Sequence, residues 1–171
     1  VPSGVAAIMQ FKVGDKSVHP HHGVGEVTAI EAKEIAGQKK TFYTLKIVGS
    51  GTKVMVATDA ADRLGLRKVV SRAEAKKVLD VLRERTISVT SQPWNRRYRE
   101  YTGMLNSGSP YEVAKVLRDL SMIKTDKELS FGERGLLDKA RALLVTELAV
   151  SRRCKETRVE TEIEEILGLS A

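Results

Sequence analysis

The chain has 171 residues, 42% of them hydrophobic and 30% charged, with a net charge of +7 and only 5% aromatics. This excludes disorder throughout and leaves room for one domain, or two small ones, with mainly aliphatic cores. A pI near 9.6 favours an anionic partner, nucleic acid before a membrane surface.

The single cysteine, Cys154, excludes an internal disulfide and a Cys-rich zinc site, and fits a reducing cytoplasm. No apolar run approaches the ~18 residues that read as a membrane span. The opening VPSGVAAI lacks the basic start and long apolar stretch of a signal peptide. Met9 is therefore the expected natural start, with residues 1–8 upstream of it. Basic residues gather in the first half and around Trp94, while the C-terminal end is acidic.

Up to about residue 68 the pattern is that of strands. QFKVGDKSV (10–18) and GEVTAIEAKEI (25–35) read as two strands, with a turn at AGQK (36–39). KTFYTLKIV (40–48) alternates, placing Tyr43, Leu45 and Ile47 on one face. GSG (49–51) is a hairpin loop, and TKVMVAT (52–58) returns rich in β-branched residues. Four or five short strands in about 60 residues predict a small closed barrel or rolled sheet of SH3 or Tudor type over 9–68.

From Ser71 the period becomes helical, predicting an all-helical domain over 69–171. Ser71 and Glu74 form a capping box ahead of Ala75, Val78, Leu79 and Leu82. Pro93 opens a second helix at its first turn. Ser109 and Glu112, then Ser130 and Glu133, repeat the capping-box spacing ahead of two more apolar stripes. A last short helix carries Val159, Ile163, Ile166 and Leu167. Five amphipathic helices with short links make a compact domain, so the overall class is α+β in two domains.

Catalytic chemistry finds little to work with. In HPHHG (19–23) two adjacent histidines cannot easily share one ion, and no Cys or carboxylate completes a ligand set, so a strand-ending turn shaped by Pro20 and Gly23 is expected. GVG (23–25) is too short for a phosphate cradle. Cys154 in SRRCKET has basic neighbours but no histidine near it in sequence. Glu160, Glu162, Glu164 and Glu165 read as a solvated helix face. No nucleophile, base and oxyanion stabiliser come together, so neither an enzyme nor a cofactor or metal is expected.

The segment PWNRRYREY (93–101) is richer and holds the only tryptophan. On a helix, Trp94, Tyr98, Tyr101 and Leu105 form one stripe, which by spacing alone is a core face. Yet Trp94 falls in the first turn, where a side chain can project beyond the packed face. Arg96, Arg97 and Arg99 flank it closely enough to meet phosphates. A wedge beside phosphate clamps is how minor-groove binders unstack and hold a base step. No helix-turn-helix or zinc-finger pattern surrounds the segment, which disfavours base reading in the major groove.

FKVGDKSVHPHHGVGEVTAIE, PWNRRYREY and KARALLVTELA together resemble the CarD family of bacterial transcription regulators, over essentially residues 9–167. The first part also resembles the polymerase-interaction module of the transcription-repair coupling factor, but the helical half does not. The chain departs from the family at His19, where an aromatic such as Tyr is expected, and at Met55, where a basic contact is frequent. The resemblance implies a Tudor-like domain that binds the β subunit of bacterial RNA polymerase, and a helical domain that contacts promoter DNA without reading sequence. It implies stabilisation of the open promoter complex, with Trp94 as the wedge at the upstream edge of the bubble and Arg96, Arg97 and Arg99 on the backbone. The polymerase surface would involve Lys33 and the strand of Lys53, Val54, Met55 and Val56. The implied location is cytoplasmic, on the nucleoid through polymerase. The competing reading is a polymerase-independent, non-specific nucleic-acid-binding protein, which would bind alone with a steep salt dependence.

Overall fold

A computed structural model describes residues 10–89 and 93–168. The expected start at Met9 and the upstream residues 1–8 lie outside the described residues. The chain divides into two compact units, Val1–Val69 and Val70–Ala171.

The first unit is a five-stranded antiparallel sheet of β1 (Lys16–His19), β2 (Gly23–Ile35), β3 (Gln38–Ile47), β4 (Lys53–Ala57) and β5 (Arg67–Lys68), with α1 (Ala61–Leu64) before the last strand. Strand order is β4-β3-β2-β1-β5, so β4 and β5 form the two edges. The alternation along β3 is realised: Tyr43, Leu45 and Ile47 are buried with Phe11, Val27, Val56, Ala61 and Leu66 in one core. The first strand is shorter than its sequence pattern suggests. Gly14 takes φ +96°, and Asp15 folds back on Lys12 and bonds the Val27 amide, so residues 12–15 turn rather than extend. Phe11 still reaches the core, edge-on to Tyr43 at 5.7 Å, with its amide donating to the Tyr43 hydroxyl.

The β2–β3 turn is tighter than the four residues expected. Ala36 and Gly37 both have positive φ, and β3 begins at Gln38. That is the two-residue geometry whose twist matches the flanking strands. HPHHG is the strand-ending turn it reads as: Gly23 takes φ +82°, and the His21 amide donates to Nδ1 of the buried His19.

The second unit holds five helices among the described residues: α2 (Arg72–Arg83), α3 (Trp94–Leu105), α4 (Pro110–Asp126), α5 (Phe131–Arg152) and α6 (Glu156–Leu167). The boxes at Ser71–Glu74 and Ser130–Glu133 are complete in both directions. At Ser109 only half forms: its side chain accepts from the Glu112 amide, while the Glu112 carboxylate turns to Lys115 at 3.1 Å. Pro93 sits one position earlier than expected, as the N-cap. Its carbonyl accepts the Arg96 and Arg97 amides, making Trp94 the first helical residue. The stripes bury Val78, Leu82, Tyr101, Leu105, Leu117, Leu120, Leu144, Leu148 and Ile163 in one aliphatic core. The acidic face of α6 is not wholly solvated, because Glu162 and Glu164 pair with Arg152 and Arg141 of α5 at 2.6 and 2.9 Å.

Candidate functional site

The stripe on α3 divides between two roles. Tyr101 and Leu105 are fully buried, as a core face requires, whereas Tyr98 is 44% exposed and Trp94 only partly buried. Both readings of the stripe therefore hold, each for its own half. The packed half anchors the helix and the first turn carries the aromatics outward.

Trp94 is held on several sides. Its ring meets Tyr98 edge-on at 5.6 Å, and the Arg97 guanidinium lies over it at 5.2 Å from the centroid. Beneath it is Gly132 of α5, where an added Cβ would come within 3.2 Å of the indole. A side chain at 132 would press on the indole, which would have to shift by a few tenths of an ångström. Arg97 also donates to Glu133 at 3.1 Å, and Glu133 is buried. Burial pushes the Glu133 carboxyl up, but bonds from the Ser130 amide and hydroxyl, with the charges of Lys127 and Arg97, outweigh it and hold its pKa below the usual range. Glu133 thus stays charged, caps α5 and fixes Arg97 over the indole.

A second anchor lies deeper. Asp119 of α4 is fully buried and accepts from the Ser88 amide and hydroxyl, the Val89 amide and the Tyr101 hydroxyl, all at 2.9–3.1 Å. Its neighbour Arg118, 2% exposed, bonds the Val81 carbonyl and Glu84. Together they pin Ser88 and Val89, the end of α2 and the helix that carries Trp94. Burial, and then the adjacent Asp119 charge, raise the Tyr101 hydroxyl well above its ordinary pKa, so it remains a donor.

Of the three arginines singled out in sequence, Arg96 and Arg99 are exposed, while Arg97 is drawn inward to Trp94 and Glu133. Sequence reasoning missed Gly132, Asp119 and the pairing of Glu133 with Arg97. It also passed over Phe131, which is 87% exposed at the start of α5 beside the residue that supports Trp94. The available signals were weak. A charged pair sat inside the apolar run VLRDL, and an aromatic preceded rather than joined a helical stripe.

In the sheet unit the named residues also separate. Met55 and Lys53 are exposed, and Lys33 reaches Met55, with Nζ 3.6 Å from its sulfur. Val56 is 2% exposed and Val54 packs against the core, so neither presents its side chain fully to a partner. Antiparallel alternation gives the same division for the backbone. Thr52 and Thr58 bond β3, which directs residues 54 and 56 the same way and turns the amides and carbonyls of Lys53 and Met55 outward, while the Ala57 carbonyl accepts the Ala60 amide at 3.0 Å. β4 is thus an open edge with two exposed side chains along it.

Two family models cover nearly all of the described chain. The CarD-like/TRCF RID domain matches residues 11–70 and the CarD C-terminal domain matches residues 77–164. The chain belongs to the CarD family. It is 31% identical over 151 residues to a putative transcription factor of Bacillus subtilis, YdeB, spanning 88% of this chain and 98% of that one. Two solved N-terminal domains from Myxococcus xanthus are each 45% identical to it. That of CdnL covers 36% of this chain and 87% of its own length, with a TM-score of 0.32. That of CarD covers 34% and 77%, with a TM-score of 0.30. Membership places the chain among transcription regulators related to RNA polymerase interaction, a non-enzymatic class. No helix among the described residues is long and apolar enough to cross a membrane.

Proposed function

We propose that this protein binds the β subunit of bacterial RNA polymerase along β4 and stabilises the open promoter complex by wedging Trp94 at the upstream edge of the bubble. The observation that carries the reading is the pose of Trp94, partly exposed on the first turn of α3 while Gly132, Arg97 and Glu133 support it. An indole held this way meets a base without ordering itself on contact, which lowers the entropic cost of binding. Arg96 and Arg99 take the phosphates. Arg97 acts through Trp94 rather than on the DNA, and the exposed Phe131 stands next to Gly132, on which Trp94 rests.

Polymerase recognition by an open edge is strand addition. Main-chain bonds from Lys53 and Met55 supply affinity, and the Lys33, Lys53 and Met55 side chains supply selectivity. Val54 and Val56 hold the strand flat against the core instead. The covalent link then raises the concentration of the helical unit near promoter DNA, so its own DNA affinity can be weak. An aromatic on an unstacked base contributes about 1–3 kcal/mol. Offered only to the open state, that shifts the open-closed equilibrium about 5- to 150-fold without reading sequence.

The test uses promoter DNA carrying 2-aminopurine at the upstream edge of the bubble, with polymerase present. The protein should quench the unstacked base, and Trp94→Ala should abolish the quench while still co-purifying with polymerase. Tight binding to DNA without polymerase, with no co-purification, would instead favour a polymerase-independent nucleic-acid binder.

A further inference from the structure

The helical unit has a second feature that the wedge does not use. Along one face of α2, Arg72, Lys76, Leu79, Asp80 and Arg83 follow helical spacing. This face meets the end of α5 and the start of α6 around a cleft of ≈ 880 Å³. Arg152, Cys154, Arg158 and Glu162 line the facing side.

Charge in the cleft is unbalanced. Asp80 is engaged by Arg83, and Glu162 by Arg152, both at 2.6 Å. Arg72, Lys76 and Arg158 are left with no carboxylate partner among the described residues. The imbalance does not follow from local composition. α6 carries five glutamates, yet Glu162 is the only one that lines the cleft. A concave surface lined by one sign of charge concentrates counter-ions, and guanidinium forks match phosphate oxygens in pairs. The cleft also stands apart from the wedge. Gly132, under Trp94, and Arg152 lie near opposite ends of α5, about 30 Å apart at 1.5 Å per residue.

We infer that this cleft is a phosphate-binding site, with Arg72, Lys76 and Arg158 as the anion-holding groups and the two ion pairs as its walls. A free oligophosphate and a nucleic-acid backbone share that chemistry. The assignment does not depend on the role of Trp94.

Cys154 lies in the cleft, is partly exposed and is the only cysteine, so its alkylation by iodoacetamide reports occupancy. The full chain would be titrated with inorganic tripolyphosphate and, separately, with a short duplex DNA, each also by calorimetry. Binding should slow alkylation, persist in Trp94→Ala, and weaken at least about tenfold in the triple variant Arg72→Gln, Lys76→Gln, Arg158→Gln. The three side chains are exposed, so the variant should melt with the parent. Protection by tripolyphosphate at lower phosphate concentration assigns a free oligophosphate; protection by the duplex first assigns a nucleic-acid backbone. Protection by neither, or affinity undiminished in the triple variant, overturns the proposal.

Discussion

The β4 edge and the Trp94 corner are built on opposite plans. At the edge the sheet offers main-chain groups, and the side chains that build the surface, Val54 and Val56, face away from it. At the corner the backbone is consumed in a helix, and one side chain is offered, held by a glycine, a cation and a buried carboxylate. A surface of the first kind keeps its main-chain groups under any substitution but proline and loses only what the exposed side chains add. A surface of the second kind depends on particular residues, some of which never touch the partner.

The largest expected effect is at the deep anchor. Asp119→Ala strands two amides and two hydroxyls and removes the buried charge beside Arg118, and should cost about 3–5 kcal/mol in denaturant unfolding of the helical unit. Amide exchange in β2 and β3 should not change. A cost under about 1 kcal/mol would mean the network does not hold α3. Next, Glu133→Gln removes the charge that fixes Arg97 and should cost about 1–3 kcal/mol. The fluorescence of Trp94, the sole tryptophan, should move to longer wavelength as the ring loosens. An unchanged spectrum would show that packing on Gly132 suffices.

The edge should behave differently. Met55→Glu with Lys53→Glu alters only exposed side chains, so stability should stay within about 0.5 kcal/mol. Polymerase pull-down should nevertheless weaken about tenfold, a loss of about 1.4 kcal/mol. Full retention would show that the edge is read through its backbone alone, or not at all.

The smallest effect concerns His19. Burial, then the charges of His22 and His21, hold its pKa below 6.5. The unfolded chain therefore takes up a proton that the folded unit refuses. Stability of the sheet unit is full above about 6.5 and declines as pH falls below it, until the folded pKa is reached. Amide exchange of Val18 and Val24 should quicken over that window, and His19→Tyr should flatten the change.

What the sequence discloses follows the same division. Period-2 alternation locates the core side of β3, and Ser-x-x-Glu spacings locate three helix starts, because those signals are local. Trp94 and its arginines stood out as a dense, unusual segment. The sequence pattern extends the first strand back to residue 10, since nothing local shows that Gly14 adopts positive φ and that Asp15 folds back. The supports of Trp94 were hidden for a related reason. Gly132 and Asp119 act on residues far away in sequence, and Glu133 already had a sufficient local role as a cap. Proximity in sequence groups Arg97 with Arg96 and Arg99, and the fold separates it from them.

The most direct test of the account is the lifetime of open complexes formed by bacterial RNA polymerase on a weak promoter, with the parent protein and with Trp94→Ala. The account predicts that the parent lengthens the lifetime and that the variant loses the gain while unfolding within about 1–2 kcal/mol of the parent. A lifetime gain retained by Trp94→Ala, or a variant that unfolds far earlier, would contradict it.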